Sequence, residues 1–512
     1  MSQSVILWLA TRKKKHRDPE VRPRRIAGIE TRQDWTGPFP AGEKAIENRS
    51  PARLTLPVSG WPEADRTATS GQSILSKPAR PSDDVRFRPY WWDEAEPASP
   101  PQVPVAETCD VAIIGAGYTG LAAAITLARA GRHVQAFDRQ RPGDGASSRN
   151  GGITSGNLRL SLSDCMARFG ETRALAIYRE GIAARTDLRR FIAEEGIDCD
   201  HTLSGRYTCC LTDAHYESQA RELDLVNRHL DIGGYMVPAD EQQRETGSKM
   251  YRGGVVRPDI GMLHPAKLAA GMLRVAQAAG ATIHGETGMT AWSRESDGYR
   301  VVTPRGTTLA RDLVFGANGY MDGGDKWYRR RIVPIPSCMI ATEPLSDDLM
   351  KILMPAGRAM GETRKLYRYF RPTPDGKRIL IGGRSTMTGR TDADSGQHLL
   401  KGLVEMYPEL KDVRITHSWH GLVAFSRADI PLLFRRDGAW YAGGYSGSGV
   451  VWARWFGQKI AQQILGLPEG RSAFECDPPP AVPFFDGRPW FLPAVLGWQG
   501  LMDRLGMGIV KA

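Results

Sequence analysis

Short apolar runs alternate along the chain with longer segments whose apolar residues recur at helical spacing. The apolar run at 110–114 predicts a buried strand, and the glycines of 115–120 predict a tight turn directly after it. The small-residue-rich stretch 118–130 predicts a helix ended by a glycine, and 133–137 predicts a second strand. This order of strand, turn, helix and strand indicates an α/β sheet.

The same two patterns continue through the rest of the chain. Apolar residues at helical spacing predict further helices at 171–195, 265–279 and 451–465. Hairpins are predicted at 299–316 and at 368–384, each with a turn that contains proline and glycine. The chain therefore supplies both helices and strands well beyond the first unit.

Residues 1–87 lack this patterning and carry most of the positive charge. The first 90 residues hold 17 Lys and Arg against 10 Asp and Glu, a net of +7, whereas the whole chain has a net charge of +11. Scattered proline and glycine without an apolar period predict a basic, disordered extension. A nucleic-acid-binding tail is one interpretation. A dispensable extension, or a start of translation set too early with Val85 as a candidate non-Met start, is favoured.

The overall composition is that of a globular protein. The chain has 512 residues, of which 41% are hydrophobic and 24% charged, so it is long enough to bury a sizeable core. No apolar run of roughly 18 residues occurs, so no membrane span is expected. Seven cysteines form no CxxC pair or zinc spacing, so no metal site is predicted. Reduced thiols and the order of the N-terminal residues predict a cytoplasmic protein.

The glycine turn GAGYTG at 115–120 is the clearest site motif. Gly115 makes the tight turn, Gly117 lets a pyrophosphate approach the backbone, and Gly120 lets the helix pack on the strand. The helix N-terminus offers N–H groups to phosphates, and Asp138 after the second strand can accept hydrogen bonds from ribose hydroxyls. The predicted contacts in this unit are Gly115, Gly117, Tyr118, Thr119, Gly120, Asp138 and Arg139.

Three glycine- and hydroxyl-rich segments favour FAD over NAD as the dinucleotide. The loop 143–152 can lie along an extended dinucleotide and reach a flavin, although an ordinary surface turn is the alternative. The strand 313–320 ends in small residues, and the glycine turn within 440–450 offers backbone N–H groups to a reduced flavin. The predicted contacts here are Ser147, Ser148, Arg149, Asn150, Gly151, Gly152, Ala317, Asn318, Gly319, Gly444, Ser446, Gly447, Ser448, Gly449 and Val450.

These segments, in this order and spacing, resemble the FAD-dependent D-amino-acid-oxidase-like (DAO) family. The nearest resemblance is to the amine-oxidising branch that contains gamma-glutamylputrescine oxidoreductase. It covers about residues 88–505 and leaves the extension out. The matching stretches are the turn at 110–121, GASSRNGG at 145–152, GMLHP at 261–265, IATEPL at 340–345, the hairpin at 369–384, the segment 419–431 and GGYSGSGV at 443–450.

The resemblance implies an α/β fold in which a doubly wound, Rossmann-like FAD-binding domain is interleaved with an α+β substrate domain. The substrate domain would contain a mainly antiparallel sheet. The implied division is 88–160, 255–330 and 428–470 for the FAD-binding domain, 161–254 and 331–427 for the substrate domain, and 471–512 for a C-terminal tail.

Some relatives attach the flavin covalently, and this chain lacks the residues for it. One group uses a His at the position held here by Arg149, and another uses a Cys in the segment that corresponds to 419–431, where this chain has none. The resemblance therefore implies a non-covalently bound FAD.

The resemblance also implies oxidation of an amine or amino acid, with a secondary or N-substituted amine favoured. Flavin N5 would take a hydride from the carbon beside nitrogen, water would hydrolyse the imine, and O2 or another acceptor would reoxidise the flavin. Such chemistry requires no Ser-His-Asp or paired-carboxylate motif, and none stands out. Lys351 or Lys365 could supply a cation near the site of O2 reduction.

Candidate substrate residues lie in two segments. Alternation in a strand places Tyr367, Tyr369 and Arg371 on one face. The aromatic rings could wall an amine site, and Arg371 could pair with a substrate carboxylate. A half-exposed aromatic strand is the alternative. His420 lies in a segment expected to approach the flavin, or serves a structural role.

Two other functions stay open at this point. A flavin monooxygenase using NAD(P)H would need a further Gly-Asp motif beside the ribityl chain, which we do not find. A basic-tailed nucleic-acid- or membrane-associated protein with a vestigial flavin fold is an alternative of another class. The expected partners are a small-molecule amine or amino acid and O2 or another electron acceptor, without nucleic acid.

Overall fold

The computed structural model describes residues 84–384 and 392–505 of the chain. Residues 1–83, most of the predicted basic extension, lie outside this part. Arg86 belongs to the fold, because its N–H donates to the carbonyl of Thr416 at 2.9 Å and its carbonyl accepts from the N–H of Ser418 at 3.0 Å. The fold thus includes residues on the N-terminal side of the predicted boundary at 87.

The described residues form sixteen strands and eleven α-helices. The strands are β1 (Thr108–Ile114), β2 (Val134–Phe137), β3 (Arg206–Cys209), β4 (Tyr235–Val237), β5 (Gly254–Arg257), β6 (Thr282–His284), β7 (Ala291–Glu295), β8 (Gly298–Thr303), β9 (Gly306–Phe315), β10 (Val333–Thr342), β11 (Ala359–Glu362), β12 (Arg368–Pro372), β13 (Ile379–Arg384), β14 (Ile415–Phe425), β15 (Leu432–Arg436) and β16 (Ala439–Gly443). The helices are α1 (Tyr118–Arg129), α2 (Ala146–Arg149), α3 (Leu162–Phe169), α4 (Glu171–Glu194), α5 (Asp213–His229), α6 (Pro265–Ala278), α7 (Lys326–Arg329), α8 (Asp347–Leu353), α9 (Asp392–Met406), α10 (Gly449–Ile464) and α11 (Leu492–Arg504).

The first sheet is mainly parallel, with the strand order β15-β16-β9-β1-β2-β6. β1 lies between β2 and β9 and runs parallel to both, so that Ile114 pairs with Phe137 on one side and Phe315 on the other. Helices α1, α6 and α10 share a hydrophobic core with this sheet. Burial on both faces explains why β1 reads as a continuous apolar run rather than an alternating one.

The second sheet has the order β14-β10-β13-β12-β11-β3-β5-β4. Neighbouring strands in it are antiparallel, except that β11 and β3 run parallel. Ile340, Ile381 and Leu403 lie in its main core, on the side covered by α9. Its strands come from two stretches of chain that alternate with those of the first sheet, so the predicted α/β fold class with two interleaved sheets is confirmed.

The predicted elements are present with small shifts at their ends. The helices predicted at 171–195, 265–279 and 451–465 are α4, α6 and α10, and the two predicted hairpins are β8–β9 and β12–β13. β5 joins the second sheet, although most of its residues fall in the range predicted for the FAD-binding domain. The division into domains itself stays a prediction.

The described part of the tail packs against the body of the protein through α11. Leu492 and Leu496 share a core with Val333 and Phe425. Asp503 accepts hydrogen bonds from two backbone N–H groups just before β12, each at 2.8 Å. Across the ranges that the structure describes, every helix is too short or too polar to cross a bilayer.

Candidate functional site

The turn between β1 and α1 presents backbone rather than side chains to a cleft. Gly115 has a φ of +97°, and a Cβ there would lie 2.9 Å from the Cα of Ala317. A Cβ on Gly117 would lie 2.8 Å from the Oγ of Ser147, and the N–H of Tyr118 donates to that oxygen at 3.0 Å. The N-terminus of α1 therefore faces the cleft, where its positive dipole end favours phosphate.

Asp138, at the end of β2, supplies a buried carboxylate to the same cleft. Its Oδ2 accepts from the N–H of Ala116 at 2.8 Å, and its Oδ1 accepts from the N–H of Gln140 at 2.9 Å. Burial raises the pKa of this carboxyl to about 6, against the opposing effect of these hydrogen bonds and of Arg139. A carboxylate has about four acceptor sites, so both oxygens retain capacity for ribose hydroxyls.

The cleft contains about 1120 Å³ of free space, part of which is open to solvent. Glycines without side chains, a helix N-terminus and a buried carboxylate fit the pyrophosphate and ribose of FAD. The predicted cofactor contacts that line it are Gly115, Gly117, Tyr118, Thr119, Asp138, Arg139, Ser147, Asn150, Ala317, Asn318, Ser446, Gly447, Gly449 and Val450.

The remaining predicted contacts lie around the cleft rather than in its wall. A Cβ on Gly120 would overlap the carbonyl of Gly115, so this glycine allows α1 to pack on the turn. The N–H of Gly444 donates to the Oδ1 of Asn318 at 2.9 Å, which joins two of the predicted segments. Ser148 is buried, Gly319 packs beside Ala424, and Arg149, Gly151, Gly152 and Ser448 line an adjoining cavity.

Three tryptophan indoles hold the loop that follows the ribose acid. Trp91 Nε1 donates to the carbonyl of Asn150 at 2.8 Å, and Trp92 Nε1 donates to the Oγ of Ser148 at 3.0 Å. Trp419 Nε1 donates to the carbonyl of Arg149, which lies between those two residues, at 2.9 Å. The sequence alone gives no sign that these tryptophans hold the loop, because they are far from it along the chain.

A second cavity, with about 1530 Å³ of free space, adjoins the dinucleotide cleft. Its wall combines strands of the second sheet with loop 146–159 and the glycine turn before α10. The residues that line both spaces are Ala146, Asn150, Leu422, Val423, Ser446, Gly447 and Val450. A substrate in this cavity would therefore lie next to the end of a dinucleotide bound in the cleft.

Tyr369 lies in the wall of the second cavity, as does Tyr367. Their rings stack with centroids 5.9 Å apart. A Cβ on Gly151 would lie 2.8 Å from the ring of Tyr369, and a Cβ on Gly382 would overlap it. The glycines of the loop and of β13 thus make room for this ring, which places an aromatic face beside the predicted flavin loop.

Arg371 does not reach the cavity, although it shares a strand face with the tyrosines. It is 2% exposed, and its Nη1 donates to the carbonyls of Gly151, Gly152 and Leu263 at 3.2, 3.3 and 2.8 Å. The guanidinium carbon of Arg371 lies 5.4 Å from the ring centroid of Trp91. The predicted pairing with a substrate carboxylate is therefore replaced by a structural role, because the loop and Trp91 cover this end of the face.

His420 also lies outside both spaces. Its side chain is 56% exposed, and its Nδ1 lies 2.7 Å from the Oδ1 of Asp392. The hydrogen bond to this carboxylate raises the pKa of the imidazole. Strand alternation explains the outcome, since Gly421 lines the cavity while the side chain before it points the other way.

Of the two lysines considered for O2 reduction, only one lies near the site. Lys365 lines the second cavity. Lys351 is exposed in α8, with its Nζ 3.7 Å from a carboxylate oxygen of Asp348.

Several charged residues of the cavity wall were not among the predicted site residues. They are Arg159, Arg206, Glu362 and Arg384. Arg384 ends the hairpin of the resemblance, which is a weak sequence signal, whereas Arg159 follows the glycine-rich loop without any recognisable pattern. Their convergence depends on the packing of two separate sheets.

Within the ranges that the structure describes, no histidine or cysteine lines the cleft or the second cavity. All seven cysteines are described, and each is free. The position where some flavoproteins carry a linking His holds Arg149, which pairs with Asp144 at 2.7 Å and stacks at 4.5 Å over Trp92.

The chain is similar in sequence to a known protein family and to individual proteins. The sequence model of the DAO family, described as FAD dependent oxidoreductase, matches residues 110–463. A probable oxidoreductase OrdL of Rhizobium meliloti (strain 1021) is 32% identical, over 81% of this chain and 97% of the relative. The gamma-glutamylputrescine oxidoreductase of Escherichia coli (strain K12) is 29% identical, over 78% and 94%.

Solved structures show the same fold. Glycine oxidase from Geobacillus kaustophilus aligns with a TM-score of 0.59 at 21% identity, over 72% of this chain and 97% of that one. Iminodiacetate oxidase from Chelativorans sp. BNC1 aligns with a TM-score of 0.57 at 18% identity, over 72% and 100%.

Proposed function

Because this chain belongs to the DAO family of FAD dependent oxidoreductases, we propose that it oxidises the C–N bond of an amine or amino acid. A secondary or N-substituted amine is the favoured substrate. The observation that carries the proposal is the second cavity, which has Tyr367 and Tyr369 in its wall and adjoins the dinucleotide cleft. The names of gamma-glutamylputrescine oxidoreductase and glycine oxidase, an amine and an amino-acid enzyme, support the same substrate class.

The groups that would hold the cofactor are those of the cleft. The N-terminus of α1 and Gly117 would meet the pyrophosphate, Asp138 the ribose, and the glycine turn before α10 the flavin end. When bound, FAD supplies the acceptor, at N5, for the hydride of the carbon beside nitrogen, and the resulting imine is hydrolysed by water.

The residues of the cavity orient the substrate rather than exchange protons with it. The faces of Tyr367 and Tyr369 attract the positive nitrogen of an approaching amine through their quadrupoles. Burial raises the pKa of both phenols, so each hydroxyl stays protonated over the physiological range. Rigid positioning of the reacting carbon is therefore the main contribution that these side chains make.

We further propose that the FAD is held without a covalent bond. The absence of cysteine and histidine from the described walls of both spaces supports this. Precipitation of the purified yellow protein with acid should release free flavin into the supernatant. A yellow pellet with a colourless supernatant would show that the attachment is covalent.

Flavin bleaching under anaerobic conditions tests the main proposal. The holoenzyme is mixed with a panel of primary, secondary and N-substituted amines and amino acids, and its absorbance near the flavin band is followed. We expect bleaching by at least one amine class, with secondary amines fastest, and return of the colour when air is admitted. Colour that returns only with an artificial acceptor would identify a dehydrogenase.

Two outcomes would contradict the proposal. Bleaching by NAD(P)H alone would favour a monooxygenase. A protein without flavin that binds DNA or anionic vesicles, with affinity falling steeply as salt rises, would favour a binding protein with a vestigial fold.

A further inference from the structure

Helix α11 is apolar on its exposed side as well as on its buried side. Leu492 and Leu496 are buried in the core that this helix shares with the body of the protein. On the other side Trp498 and Leu501 are exposed, as is Leu505 directly after the helix. Because residues three and four positions apart share one side of a helix, these three form a stripe. A helix that is apolar all round is normally covered, so the stripe indicates a contact surface.

The polar side chains of α11 do not supply a solvated side. Asp503 accepts hydrogen bonds from the backbone N–H groups of Lys365 and Leu366, each at 2.8 Å, and so is engaged with the body of the protein. Between residues 492 and 503 the helix has only Gln499 as a further polar residue, and that side chain is half-buried. Solvent therefore meets mainly apolar side chains on this helix.

The loop before α11 adds two protruding aromatic rings. Phe484 is 90% exposed and Trp490 is 62% exposed. Trp490 Nε1 donates to the carbonyl of Phe484 at 2.9 Å, which satisfies the polar atom of the indole. Phe484 has a φ of +56°, a strained conformation for a bulky side chain. The fold thus holds two large rings in solvent although this costs both backbone strain and apolar exposure.

Basic side chains lie in this loop and in the segment that packs against it. A Cβ on Gly487 would lie 2.9 Å from the Nε of Arg329, so the end of α7 touches the loop. The carbonyl of Arg330 accepts from the N–H of Val482 at 2.9 Å, which holds the two segments together. The basic residues of this region are Lys326, Arg329, Arg330 and Arg488.

These four cations have few acids to offset them. Within the ranges that the structure describes, none of the four forms an ion pair. Asp486 is the one acid of the loop 484–490, and a backbone hydrogen bond from Arg488 and the charges of Arg488 and Arg329 lower its pKa. Asp325, directly before α7, is buried and accepts from the hydroxyl of Tyr441 at 2.7 Å. The surface beside the two rings is therefore positively charged.

An anionic lipid surface fits both the apolar and the basic part of this region. Trp, Phe and Leu side chains enter the boundary between headgroups and acyl chains, while Lys and Arg side chains stay with the headgroup phosphates. A second copy of the chain fits less well, because a symmetric dimer through this region would bring the cations of both copies together. Nucleic acid would match the charges but leave the stripe of α11 in solvent.

We propose that the loop 484–490, α7 with Arg330, and the exposed stripe of α11 form a surface that docks the enzyme on an anionic membrane. We call it the tail surface. The enzyme would lie on the membrane rather than span it. None of the residues named for the tail surface lines the dinucleotide cleft or the second cavity, so the inference does not depend on the proposed amine oxidation.

Flotation of the holoenzyme with lipid vesicles is the first experiment. It compares phosphatidylcholine vesicles with vesicles that also contain phosphatidylglycerol. We expect a partition constant on the order of tenfold higher for the anionic vesicles, falling as the salt concentration rises. Equal partition into both vesicle types, or no binding to either, would overturn the proposal.

Substitutions in the full-length chain then separate the tail surface from the basic extension, which could itself attract anionic lipid. Trp490→Ser combined with Trp498→Ser should lower the partition constant on the order of tenfold, because it removes two inserting rings. Arg330→Gln should lower it about fivefold, since it removes one charge near the headgroups. Partition that is unchanged in these variants would assign the binding to the extension and refute the tail surface.

Matched control variants carry the same changes at exposed positions elsewhere. Ile352→Ser in α8 is the control for the apolar change, and Arg221→Gln in α5 is the control for the charge. Both should bind vesicles as the wild-type protein does. Flavin content and melting temperature should be those of wild type in every variant. If the double Ser variant does not fold, Phe484→Asn replaces it, because Asn tolerates a positive φ.

Quenching of tryptophan fluorescence by brominated lipids tests insertion directly. The wild-type holoenzyme should lose fluorescence on anionic vesicles that contain brominated acyl chains, and the variant without Trp490 and Trp498 should lose far less. Quenching of equal size in both proteins would refute insertion of the tail surface.

Two further results would replace the membrane by another partner. A dimer seen by light scattering without lipid, and dissociated by Trp498→Ser, would identify a second copy as the occupant. Binding to DNA that Arg330→Gln weakens, without binding to vesicles, would identify nucleic acid.

Discussion

At the residue scale, burial of Asp138 opposes the charge with which this carboxyl would bind a ribose. The folded apoprotein raises the pKa of this carboxyl from 3.8 to about 6, mainly through desolvation. The neutral form therefore stabilises the apoprotein below pH 4, and this contribution is lost as the pH rises through 6. The ionised form is the better partner for ribose hydroxyls, because protonation converts one acceptor oxygen of the carboxyl into a donor.

The affinity for FAD should accordingly fall as the pH falls through about 6. We expect the dissociation constant to rise by up to about tenfold per pH unit below that value, since binding must then release a proton. Fluorescence titration of apoprotein with FAD between pH 8 and 5 measures it. Asp138→Asn should bind more weakly at pH 8 and lose most of this dependence, and a dependence that persists in the variant would assign it to another group.

Replacement of Arg371 tests whether this side chain stabilises the loop rather than binding substrate. Arg371→Met leaves backbone carbonyls of the loop unsatisfied, so we expect a loss of about 2–4 kcal/mol of unfolding free energy and reduced flavin content. Thermal and denaturant melts measure the change, with Arg300→Met on the exposed β7–β8 hairpin as the control. Unchanged stability together with selective loss of activity on carboxylated amines would restore the substrate role.

Only part of this arrangement of residues follows from local features of the sequence. The backbone contacts of the glycine turn follow from local rules, because glycine spacing and a strand–helix order specify them. Alternation placed Tyr369 and Arg371 on one face correctly, but the sequence contains no information on what covers that face. A loop more than 200 positions away decides that one side chain lines a cavity and the other is buried.

At the element scale, the short 3-10 helix Tyr90–Asp93 holds the loop 143–152, which is predicted to contact FAD, from outside the first sheet. Its two tryptophans donate to the loop at Asn150 and Ser148. Apolar spacing predicted β1, β2, the helices α1, α4, α6 and α10, and the hairpins β8–β9 and β12–β13. The strand order of the two sheets was not predictable, because β11 and β3 pair across some 150 residues, and such pairing leaves no periodic trace.

Loss of one indole hydrogen bond should weaken FAD binding without unfolding the protein. Trp92→Phe keeps an aromatic ring but removes the donor to Ser148, so we expect about a fivefold higher dissociation constant, or about 1 kcal/mol. Titration of the apo-variant with FAD measures it. Trp490→Phe, a change at an exposed position, is the control, and equal effects of both changes would argue against a role in the loop.

At the scale of the whole molecule, the second cavity depends on how the two sheets pack together. Its wall includes Arg159, from the segment between α2 and α3, and Arg384, from β13 of the second sheet. Sequence motifs identify the dinucleotide cleft, which one sheet and its loops largely build. They do not identify the cavity charges, because those come together only when the two sheets pack.

Most of the positive charge of the chain lies in the sequence before the residues that the structure describes. The contacts described above that hold the loop 143–152 come from Trp91, Trp92 and Trp419, whereas most of the net charge of +11 lies before residue 84. A protein without residues 1–83 should therefore keep its flavin content and its rate of amine oxidation, and should elute earlier from a cation exchanger. Removal of residues 1–95 also deletes Trp91 and Trp92, so we expect that protein to lose most of its flavin. Loss of flavin in the shorter deletion would instead assign the basic extension a part in the fold.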